Sequence, residues 1–150
     1  MGFAQIPIMS RDTPASDAPA LEVFDPARCR HWLSEGGIGR LALRGSDAPE
    51  IRPVNFALCG EQLVIRTGEG LILHAARQGE AAGFEIDGID PLEHTGWSVV
   101  VVGKLCELPS DDAHLALPLR PWASGQKDRF VGMSLDRVSG MRIPSGRGNR

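Results

Sequence analysis

The sequence predicts a single antiparallel β-barrel, closed or partly open, decorated with a few small helices. Three observations predict it. Several short strand-like stretches are joined by connections too short for parallel crossovers. Four successive valines, Val99 to Val102, describe a strand covered on both faces. The chain has 150 residues, about one domain's worth. In an antiparallel protein a strand covered on both sides requires a sheet that curls on itself or meets a second subunit.

The elements follow in order. Residues 1–20 mix Pro, Ser, Ala and Asp without periodicity, and residues 144–150 are turn formers and arginines. Both are expected as tails around a domain spanning 21–143. Asp25 caps a helix with Pro26 in its first turn, an apolar face of Cys29, Trp32 and Leu33, and a stop at Gly36-Gly37. Residues 38–44 alternate apolar with small or basic residues, 51–58 resume extension after a turn, and 62–67, joined through Cys59-Gly60-Glu61, complete a three-stranded meander. LILHAARQ at 71–78 is a two-turn helix, FEID at 84–87 a strand, and GWSVVVVGKLCEL the longest strand. Ser110, Asp111 and Asp112 cap a further short helix ended by Pro118, and RFVGMSL with RVSGMRI reads as a final hairpin.

Composition narrows the function. With 16 Lys plus Arg against 19 Asp plus Glu, the net charge of -3 argues against a general nucleic-acid binder, which needs a basic surface. No apolar run approaches the roughly 20 residues of a membrane helix. Three cysteines without CxxC spacing and four scattered histidines support neither a disulfide framework nor a metal site, and reduced thiols point to the cytoplasm.

The strongest chemical candidate is RTGEG at 66–70, a glycine-rich turn running into a helix, where an anion can sit. Arg66 and Thr67 either add a charge and a hydroxyl to such a site or are an exposed strand-end arginine and a turn threonine, and Arg52 on the neighbouring strand reads the same two ways. A dinucleotide fold fails, because Leu73 stands where its third glycine belongs and strands do not alternate with helices. Pro53-Val54-Asn55-Phe56 is odd for a buried strand. It is either a proline-protected edge or a backbone edge free to bond the heteroatoms of a planar ligand. Trp97 and Trp122 offer ring faces for such a ligand, or core filling. No nucleophile, acid or base constellation stands out, so catalytic residues stay unassigned.

RPVNF, VIRTGEG, FEID, GWSVVVVG, LPLRPW and RVSGMRI, in that order, resemble the pyridoxamine 5'-phosphate oxidase-related family of flavin-binding split barrels over residues 25–143. The resemblance implies a six-stranded split-barrel homodimer with FMN, or in some branches a deazaflavin or heme, at the subunit interface, and an oxidoreductase activity on a small substrate or nicotinamide. It implies that Pro53, Val54, Asn55 and Phe56 lie along the isoalloxazine edge, with Arg66 and Thr67 near ribityl and phosphate. Trp97 and Ser98 would come from the partner, and Trp122 would help close the pocket. Gly70 and Ile72 complete the expected set. Ile72 stands where relatives that read RTxxGTKL place a phosphate-binding lysine, so one charged contact is missing.

Overall fold

The computed structural model describes residues 19–119 and 125–146. The order is β1 (Glu22–Val23), α1 (Pro26–Ser34), β2 (Gly37–Leu43), β3 (Glu50–Cys59), β4 (Gln62–Thr67), α2 (Leu71–Arg77), β5 (Ala81–Asp90), β6 (Thr95–Leu108), α3 (Asp112–Leu115), β7 (Arg129–Ser134) and β8 (Arg137–Ile143). Strands β2, β3, β4, β7, β6 and β5 pair in that cyclic order, all antiparallel, and β2 with β5 completes the ring. The expected six-stranded barrel is therefore present. The expected tails fall mostly on residues 1–18 and 147–150, outside the described residues.

The final hairpin is corrected. β7 and β8 do not pair with each other; both run along β6, whose 14 residues serve β7 at one end and β8 at the other. Met133 faces Leu105 and Arg137 faces Val102, so four steps on one strand match three on the other. That extra residue is a bulge, and it lets one strand run off the barrel into an outer sheet with β1. At the bulge a Cβ on Gly103 would overlap the Ser134 carbonyl oxygen, and the Lys104 N–H donates to Ser134 Oγ at 2.9 Å.

Alternation fills the barrel. Leu41, Leu63, Ile65, Phe84, Val99, Val101 and Met133 point inward, and each is no more than 1% exposed. Of the four valines, Val99 and Val101 face the core while Val100 stays 39% exposed on the outer face. Within one chain, then, the valine strand is covered on one side. The α2 helix buries Leu73, Ala75 and Ala76 against β6 and β7.

α1 buries Cys29 and Leu33, and its Trp32 ring stacks on Trp97 of β6 at 3.9 Å. Burial pushes the Cys29 thiol up, as does the nearby Asp25 carboxylate. The helix starts where Asp25 accepts from the Arg28 N–H at 2.8 Å. Asp25→Ala is expected to cost about 1 kcal/mol by orphaning that amide. A urea midpoint equal to the wild type would show that the cap contributes nothing.

Candidate functional site

The barrel opens between β3 and β4. Their ladder runs from Cys59 facing Gln62 to Phe56 facing Ile65 and then stops. Asn55 and Arg66 would be the next pair, but β4 turns away at Thr67 into α2 while β3 continues outward on β2 alone. Residues 50–55 of β3 thus have a strand on one side only, and the freed main-chain edge borders a groove of about 550 Å³. Arg52, Pro53, Val54, Asn55, Arg66, Thr67, Gly70 and Ile72 all line this groove. Eight of the residues expected from sequence meet there.

The turn after β4 is held from the neighbouring strand β7. β4 pairs with β7 through Thr67 and Arg129, which brings the segment before β7 over the turn. Arg66 Nε donates to the Lys127 carbonyl, and its guanidinium carbon lies 5.7 Å from the centre of the Phe130 ring. A Cβ on Gly68 would come within 2.5 Å of the Gln126 carbonyl oxygen, so only glycine allows this approach.

Glu69 lines the groove too, and its negative charge is opposed by two arginines. Arg77 and Arg129 each lie 3.5 Å from it, and both also reach Glu107, closing a ring of four charges. The hydrogen bond from Arg77 holds the Glu107 carboxyl below the usual carboxylate range. Repulsion of an anionic ligand by Glu69 is thereby reduced. Arg52 pairs with Glu50 at 3.0 Å.

The other expected residues lie elsewhere. Phe56 is a correction: at 2% exposure it sits in the core, edge-on to Phe84 at 4.9 Å, because it is the point at which β3 rejoins the closed ladder. Trp97 and Ser98 line a separate groove of about 200 Å³ on the outer face, with Leu21, Ile89, Met141 and Ile143. Trp122 lies outside the described residues. Ile38, Leu71 and Lys127 line the main groove and were not expected. Lys127 stands 60 positions after Thr67 in a GQKD loop without a motif; only the pairing of β4 with β7 brings it near.

A six-stranded antiparallel ring with a groove beside one interrupted ladder defines a split barrel. The sequence pattern of the pyridoxamine 5'-phosphate oxidase family matches residues 25–142, and the chain belongs to that family. An uncharacterised protein of Mycobacterium tuberculosis, Rv0080, is 30% identical over 140 residues, spanning 89% of this chain and 91% of its own. A provisionally assigned pyridoxamine 5'-phosphate oxidase from Corynebacterium glutamicum superposes with a TM-score of 0.68 at 26% identity, covering 82% of this chain and 98% of that one. An FAD-binding protein from Mesorhizobium loti shares the fold with a TM-score of 0.69 at 21% identity, covering 83% and 99%.

Proposed function

We propose that this chain is a flavin-binding redox protein that holds FMN in the groove between β3 and β4, works as a homodimer, and passes hydride between the flavin and a small substrate or nicotinamide. The observation that carries the reading is the interrupted ladder, which sets a free main-chain edge opposite a cationic turn. The donor set fits the group. A flat ring with heteroatoms along one side matches the edge at Pro53–Asn55, apolar Ile38 and Ile72 shield it from water, and Arg52 with Arg66 meet the phosphate. The flavin supplies the hydride chemistry when bound; the protein supplies position and charge. Among the described residues no histidine lines the groove, which disfavours an axial heme ligand there. The FAD bound by the Mesorhizobium loti neighbour has the same ring and first phosphate as FMN, and this likeness of fold supports the reading.

The homodimer rests on the outer face. Ile89, Val100, Met141 and Ile143 are between 39% and 73% exposed across β5, β6 and β8, a patch of the kind that a partner covers. A second copy laid on this face would meet Ser98, which shares it with Met141, whereas the Trp97 ring is on the opposite face, stacked on Trp32. Three free thiols, two of them exposed, suit the cytoplasm. Among the described residues no helix is long and apolar enough to cross a membrane.

Titration of the purified chain with FMN, followed by quenching of flavin fluorescence, tests the reading. Saturable quenching in the micromolar range is expected, together with a sedimentation mass twice that of the chain. A colourless protein that leaves FMN unquenched at tens of micromolar would refute it. Ile72→Lys places a cation on the groove wall and is expected to tighten FMN about tenfold. Unchanged affinity in that variant would count against a phosphate beside α2.

A further inference from the structure

We infer that Lys127 is a second side chain, beside Arg66, that distinguishes a phosphorylated flavin from its unphosphorylated counterpart in this groove. The inference rests on the flavin reading above and names a residue for it. Four basic side chains lie in or beside the groove wall near the turn at 66–70, and three have protein partners. Arg77 and Arg129 are held by Glu69 and Glu107. Arg66 spends its Nε on the Lys127 carbonyl. Lys127 lines the groove and makes no ion pair among the described residues.

Its position is set by contacts of the main chain, not by its charge. The bond from Arg66 fixes the Lys127 carbonyl, and the missing Cβ of Gly68 lets the Gln126 carbonyl close in. The same geometry places Lys127 Cδ 4.0 Å from where a Cβ on Gly68 would stand, so the lysine stem passes over the turn. Ile72, on the α2 side of the groove, offers no charge. A side chain held this way pays less conformational entropy on meeting an anion than a free surface lysine does.

A lysine is a point charge and recognises a phosphate without selecting the ring to which it is attached. Removing it should weaken FMN and spare riboflavin, which carries the same ring and ribityl chain without phosphate. The experiment compares the two ligands by fluorescence quenching on the native protein, Lys127→Gln and Lys127→Arg. Lys127→Gln is expected to weaken FMN about tenfold or more and leave riboflavin within about twofold, while Lys127→Arg keeps FMN within about threefold of native. Equal losses for both ligands, an unmoved FMN affinity, or an arginine variant as weak as the glutamine one would each overturn the assignment while the flavin reading stands. A native protein that binds neither ligand would sink both.

Discussion

Arg66→Gln is expected to weaken FMN binding about a hundredfold or more, the largest functional effect of any single change in this chain. The side chain has two tasks. Its guanidinium lines the groove, and its Nε holds the Lys127 carbonyl in place. The substitution removes one charge-assisted contact outright and loosens a second, each worth about 1.5–3 kcal/mol, and about 1.4 kcal/mol is a factor of ten. Riboflavin binding should fall far less, because the proposed seat of the ring is the β3 edge. Arg66→Lys keeps the charge but loses the planar fork and should fall between the two. Quenching titrations of FMN decide it, and an affinity within threefold of native would remove Arg66 from the site.

Gly103→Ala is expected to lower stability by about 3 kcal/mol, at the upper end for adding one methyl to a packed site, because what it meets is main chain. For a chain of this size that corresponds to a melting temperature about 6–12 °C lower. The opposing atom is the Ser134 carbonyl oxygen, on the strand that closes the barrel against β6. It cannot rotate away as a side-chain tip would. Relief must come from parting β6 and β7 where the bulge shifts their register. A thermal melt within 2 °C of native, on a 3 kcal/mol expectation, would mean that the two strands separate there at little cost.

Much of this was legible in the sequence. β4 at 62–67, the cap at Asp25 and α2 from Leu71 are written in a short apolar run bounded by turns, a side-chain oxygen before a proline, and glycines at the start of an apolar turn. The groove was legible through Pro53, a residue that does not belong in a fully paired ladder, and through the turn that follows β4. Two features were not. Leu135-Asp136 separates two apolar stretches as a hairpin turn would, and no local signal distinguishes that turn from a bulge in one strand lying along a common neighbour. Lys127 reaches the groove through a strand pairing that spans more than half the barrel sequence, and single residues carry no trace of such a register. Phe56 was misplaced because the motif does not show where the β3–β4 ladder closes, and Phe56, paired with Ile65, is its first closed rung and packs in the core.

The Trp32–Trp97 pair makes the docking of α1 visible without a label. The two indoles lie 16° from parallel at 3.9 Å, one on the helix and one on β6, and Trp32 Nε1 is buried without a hydrogen-bond partner among the described residues. Chromophores so close couple their electronic transitions, and the coupling ends once the helix lifts by a few ångströms. Near-ultraviolet circular dichroism therefore reads the closure of this end of the barrel directly, separately from the yellow colour of anything bound at the other.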